Sequence, residues 1–171
     1  TYYGGGTAGD TITLSKDGKD HQLWMDGQVG TYYNSIDNVD ASNADGELLI
    51  AGTGSLDQSI KGGAGNTTIW GGAGGNDTLV SGSGVTSFYF EEDSGKDIIQ
   101  NYKSTDIVDM HMFATTDMVS TDIDTTANTV TFVTKNGSSL TVAANVASVD
   151  VTASFSDGTY KTTSEGGWEK V

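Results

Sequence analysis

The sequence predicts an all-β fold: a parallel β-roll, or β-solenoid, between a flanking N-terminal β segment and a C-terminal β-hairpin cap. Three observations carry this. Thr, Val, Ile and aromatic residues come in short bursts between Gly, Asn, Asp and Ser clusters, with no helical periodicity. Residues 46–110 place an apolar residue at Ile50, Ile60, Ile69, Leu79, Phe88, Ile99 and Val108, so the steps run from 9 to 11 positions. With 24 Gly and no Pro, the tight turns must come from glycine alone.

Taken in order, residues 1–45 form the N-terminal flank, with short alternating runs such as Thr11-Ile12-Thr13-Leu14 and Gln22-Leu23-Trp24-Met25. Residues 46–110 form the roll. One apolar residue in nine is too sparse for a 3.6-residue period, and an antiparallel meander would need two or three inward residues per strand. The spacing fits short strands joined by glycine turns, each strand sending one apolar side chain inward to stack on its equivalent in the next coil. Successive units then lie on opposite sheets, and units two apart share one row of turns. Residues 111–171 form the cap, with hairpins expected over 129–142, turning at Asn136-Gly137, and over 149–162, turning at Asp157-Gly158. Both pairs suit type I′ turns.

Composition narrows the function. Eight Lys and no Arg stand against 23 acidic residues, a formal charge of −15, so a nucleic-acid partner is not expected. There is no Cys, which excludes disulfide staples and thiolate metal sites and leaves Ca²⁺ as a plausible extracellular staple. No apolar run reaches the ~18 residues of a membrane span. Thr1 opens no signal peptide, and the chain is expected to be a module of a longer protein.

The middle region carries a recognisable repeat. Gly72-Ala73-Gly74-Gly75-Asn76-Asp77-Thr78-Leu79-Val80 is similar to the nonapeptide G-G-x-G-x-D-x-U-x, in which U is apolar. Gly62 to Trp70 matches with Thr67 at the acidic position, 81–89 has Thr86 there, and 92–100 keeps Gly95, Asp97 and Ile99. An outlying copy lies at 5–13. On these motifs the chain resembles the RTX (hemolysin-type) calcium-binding β-roll domains of exported bacterial proteins. That resemblance implies Ca²⁺ as cofactor, a secreted or cell-surface location in a bacterium, and a roll that orders when calcium binds.

Calcium takes six to eight oxygens from carboxylates and backbone carbonyls. Asp77 and Asp97 are 20 residues apart, hence neighbours in one turn row, and are the expected metal ligands with the carbonyls of Gly72 and Gly74. Asp93 is a further candidate, weighed against a solvated turn residue, and Asp57 is a weaker one, since strict alignment puts Gln58, not Asp57, at the acidic position. The opposite row reads Thr67, Thr86 and then Asp106, and its two threonines supply no charge, so calcium is expected on the first row only.

No H-E-x-x-H zinc motif and no G-x-S-x-G elbow occurs, and His21 and His111 stand far apart, so no enzyme is expected. The resulting expectation is a calcium-stabilised structural or adhesive module. The alternative is a carbohydrate-binding module, because Trp70 and Tyr89 each follow an inward residue, should face outward side by side, and could stack on a glycan or cell-surface polymer. Against that stands the expectation that flanking strands cover the pair, with Trp24, Tyr32, Tyr33 and Trp168 part of that packing.

Overall fold

A computed structural model describes residues 10–25, 36–54, 56–144, 150–163 and 167–171. Ten short strands follow one another down the chain and alternate between two sheets. The first sheet takes β1 (Asp10–Thr13), β3 (Ile36–Asp40), β5 (Ser59–Lys61), β7 (Thr78–Val80) and β9 (Lys96–Tyr102). The second takes β2 (His21–Trp24), β4 (Leu48–Ala51), β6 (Thr67–Trp70), β8 (Thr86–Tyr89) and β10 (Ile107–Met110). Every neighbouring pair within each set is parallel, the topology of a roll.

The register explains the sparse apolar spacing. Val39, Ile60, Leu79 and Ile99 stand in one column of the first sheet. Leu23, Ile50, Ile69, Phe88 and Val108 form a column of the second. From Ile50 to Val108 all seven predicted inward residues are buried to 1% exposure or less. A strand of three or four residues has room for one such side chain between two outward ones, and burying each aliphatic contributes roughly 1.5–3 kcal/mol. The turns stack as well: Gly62 N donates to Val80 O and Ala64 N to Ala44 O. Their glycines therefore lie against backbone of the adjacent coil. A Cβ on Gly72, whose φ is +113°, would fall 2.1 Å from Thr53 O, so neither the conformation nor the space admits another residue.

Both sheets continue across the divisions at 45/46 and 110/111. β1 and β2 pair in parallel with β3 and β4, so strands of the N-terminal segment are coils of the same roll. Two residue stretches of that segment, including most of the repeat-like unit at 5–13 and both Tyr32 and Tyr33, lie outside the described residues. At the other end a single 3-10 turn (Thr115–Asp117) leads to β11 (Met118–Asp124), β12 (Thr129–Thr134) and β13 (Ser139–Ala144). Then follow β14 (Thr152–Phe155), β15 (Gly158–Thr162) and β16 (Trp168–Lys170). β13 pairs in parallel with β9 and β14 with β10, after which each sheet reverses: β13-β12-β11 and β14-β15-β16 are antiparallel. Trp168 ties the two caps together, stacking on Phe132 at 5.0 Å and meeting Phe155 edge-on at 4.9 Å.

The two hairpins are present, but neither turn is the expected type I′, which requires positive φ at both central residues. Thr134 pairs with Ser138 around Lys135-Asn136-Gly137, Gly137 N donates to Thr134 O, and only Gly137 has positive φ (+91°). This is a three-residue loop with a glycine bulge. In the second hairpin Phe155 faces Gly158, so Ser156-Asp157 make the turn and Gly158 opens the next strand. Its expected start at Val149 lies outside the described residues.

Candidate metal centre

At β5, β7 and β9 of the first sheet, the residue two positions before the apolar column is also buried. In successive coils these residues are Gln58, Asp77 and Asp97, 3%, 1% and 2% exposed. They are linked through the backbone: Gln58 N donates to Asp77 Oδ1 (2.8 Å), and Asp77 N donates to Asp97 Oδ1 (2.9 Å). Each carboxylate thus reaches one coil back and accepts the amide of its equivalent. This places Asp77 and Asp97 together in one row.

The row carries unneutralised acid. Burial pushes the Asp77 carboxyl up to about 8, with the Asp97 and Asp57 carboxylates adding to the rise against the Gln58 amide. Burial likewise pushes Asp97 up to about 7, opposed by the Asp77 amide. No ion pair to either acid occurs among the described residues. Asp77 Oδ2 is buried without a hydrogen-bond partner, resting where a Cβ on Gly71 would come within 2.3 Å of it. A buried polar atom of this kind costs about 1–3 kcal/mol, more if charged, unless something meets it.

The other expected ligands are placed less favourably. Gly72 and Gly74 (φ +104°) lie in the turn that delivers Asp77. Asp57 is exposed, one residue before the inward position that Gln58 fills, and its Oδ1 accepts Asn76 N at 2.8 Å. Asp93 is exposed as well and lines an open cleft of about 360 Å³ with Ala73, Glu91, Glu92 and Met112. Among the described residues no three His, Cys, Asp or Glu side chains converge on one point. An ion at Asp77 and Asp97 would draw on carboxylate and turn-carbonyl oxygens together. A hard cation that mixes those donors, with an orphaned carboxylate oxygen to receive it, fits these residues.

The opposite row is built differently. Thr67 and Thr86 are buried, and their Oγ1 atoms accept Gly63 N (3.1 Å) and Gly82 N (3.2 Å), holding their own turns. Asp106, fully buried, accepts Thr86 N through Oδ1 at 2.9 Å. Its Oδ2 accepts Lys103 N (2.8 Å) and Ser81 Oγ (2.7 Å), and the Lys103 ammonium lies 3.3 Å from Oδ1. Sequence reasoning set Asp106 in this row but missed Lys103; the one available signal was a lysine three residues before the acid. Gln58 takes the position in the first row that alignment gave it, as a neutral member. The Gln58 amide donates to Ile36 O and accepts Thr53 N, both at 2.6 Å, leaving nothing to ionise.

Trp70 and Tyr89 are register neighbours on the outward face of β6 and β8, as expected, and are half-buried. Their rings meet edge to face, 6.2 Å apart at 81°, and Tyr89 also contacts His111 at 5.2 Å. Trp24 departs from the packing expected of it: it is 52% exposed, because it faces outward on β2, the outermost strand of its sheet.

Fold and site together define an all-β parallel roll with a file of buried carboxylates along one row of turns. Neither a scan of protein-family models nor a search of curated proteins matches this chain. No helix among the described residues is long and apolar enough to cross a membrane.

Proposed function

We propose that the chain is a calcium-stabilised structural or adhesive module of a larger exported bacterial protein of the RTX type. The observation that carries this is Asp77: a carboxylate buried beside Asp97, raised by burial, with Oδ2 left unpartnered. Calcium at this row would supply the positive charge that the protein does not. Asp77 and Asp97 are the carboxylate ligands in this reading and the Gly72 and Gly74 carbonyls the neutral ones, with exposed Asp57 and Asp93 in reserve. An ion that binds only the folded coils stabilises them by mass action. A carbohydrate-binding role for Trp70 and Tyr89 has weaker support, since rings at 81° cannot both lie flat on one sugar face.

The test is native mass spectrometry of the protein with chelator and with calcium at about 10⁻³ M, the working range of extracellular modules, alongside thermal melts. Bound calcium with a higher melting temperature is expected. No bound ion and identical melts would refute the calcium reading.

A further inference from the structure

We propose that the second turn row holds a cation site whose permanent occupant is the Lys103 ammonium, so that this end of the roll is stapled without metal. Lys103 Nζ donates to Ser81 Oγ (2.5 Å), Gly82 O (2.5 Å) and Gly84 O (2.8 Å), and lies 3.3 Å from Asp106 Oδ1. Those four oxygens come from two successive turns of one row: two glycine carbonyls and a hydroxyl from the earlier, a carboxylate from the later. Three donors are all an ammonium has, and all three are used. Carbonyls of glycine turns joined by a carboxylate from the adjacent coil are the oxygen set a hard divalent ion takes.

The arrangement is specific to this position. Asp106 is fully buried, so its charge needs a counterion, and Lys103 is the one that reaches it. One and two coils earlier the equivalent residues are Thr86 and Thr67, which carry no charge and have no lysine. On the opposite row Asp77 and Asp97 are equally buried and have none either. The Lys103 side chain remains about a third exposed, so the site opens to the surface on that side. The oxygen cage thus exists independently of whether Asp77 and Asp97 bind calcium.

Two experiments test this. In the wild-type protein, acylation of the eight lysines followed by peptide mass spectrometry should find Lys103 modified at least about tenfold more slowly than exposed Lys16, equivalent to about 1.4 kcal/mol. Equal rates would overturn the proposal. Lys103→Met keeps the stem and removes the charge. It should melt below wild type in chelator, recover in calcium at about 10⁻³ M, and carry one more calcium ion than wild type by native mass spectrometry. Lys103→Met with Asp106→Asn should carry no extra ion. The count is taken relative to wild type, so it reads the second row alone even if the first row binds nothing. A Lys103→Met protein that does not fold in calcium, or folds without the additional ion, overturns the assignment.

Discussion

Asp77→Asn should have different effects with and without calcium. The side chain keeps its shape, and Oδ1 can still accept the Gln58 amide. In chelator at pH 7, holding a carboxyl whose value rises from 3.8 to about 8 costs the folded state roughly 4 kcal/mol, from about three pH units at about 1.4 kcal/mol each. Asparagine removes that cost but buries an amide N–H pair in place of the unpartnered Oδ2, returning about 1–3 kcal/mol. The net is a variant more stable than wild type in chelator by about 1–3 kcal/mol, or about 2–12 °C for a domain of this size. With calcium at a hundred times its Kd, wild type gains about 2.7 kcal/mol. The variant should lose most of that gain. Calorimetry of both proteins in chelator and in calcium reads all four melting temperatures, and the variant's advantage in chelator should close or reverse in calcium. Thr67→Val is the control: it should lower both melts by the loss of its bond to Gly63 N, leaving the calcium increment intact. If Asp77→Asn melts below wild type in chelator and keeps the full calcium gain, the buried carboxylate is not where calcium acts.

Leu79→Ala, at a side chain 1% exposed in the column with Ile60 and Ile99, should cost about 2–5 kcal/mol by chemical denaturation. A cost below 1 kcal/mol would contradict the register. Trp168→Ala should remove the contact between the caps and cost about 3–5 kcal/mol, measured the same way, with the calcium increment unchanged. In chelator, stability should fall as pH rises: the raised Asp77 and Asp97 carboxyls favour the fold below their ordinary 3.8, and that advantage is lost through about 7 and 8. Asp17 and Asp117, held below their ordinary value by bonds to His21 and Lys135, act in the other direction but are solvent-screened. Melts from pH 4 to 9, with chelator and with calcium, check both the sign and its suppression by the ion.

The roll was legible because its inward residues are chemically unlike their neighbours. Ile60, Leu79 and Ile99 stand out among Gly, Asp and Ser, and their period alone gives the alternation between sheets. The pairing of Asp77 with Asp97 followed from the same arithmetic. The N-terminal coils were harder to see because β1 and β3 are separated by a longer connection, which breaks the period although Ile12 and Val39 occupy the same column. β11 and β16 have no fully buried residue, so no buried stripe announces them. The Asn136-Gly137 turn was misjudged because dipeptide preference is local, whereas the loop length was set by the pairing of Thr134 with Ser138. Lys103 lay beyond sequence reasoning for a similar reason. Its partners at 81–84 are 19 to 22 residues away and meet it only through the stacking of coils.

The switch from parallel to antiparallel pairing beyond β9 and β10 closes the roll at its C-terminal side. Within the roll every strand meets only the coil before and the coil after, so a whole coil could be duplicated or excised and the remaining joints would be unchanged. Among the described residues the stop is written where β13 and β14 accept the last coil and β12 and β15 turn back along them. Beyond that reversal the outermost strands carry Asp122 and Asp124 on one sheet and Glu169 and Lys170 on the other, charges that discourage any further strand from docking. Length in such an architecture is a free parameter adjusted in integer steps, while the terminator is a fixed part that evolution can leave alone.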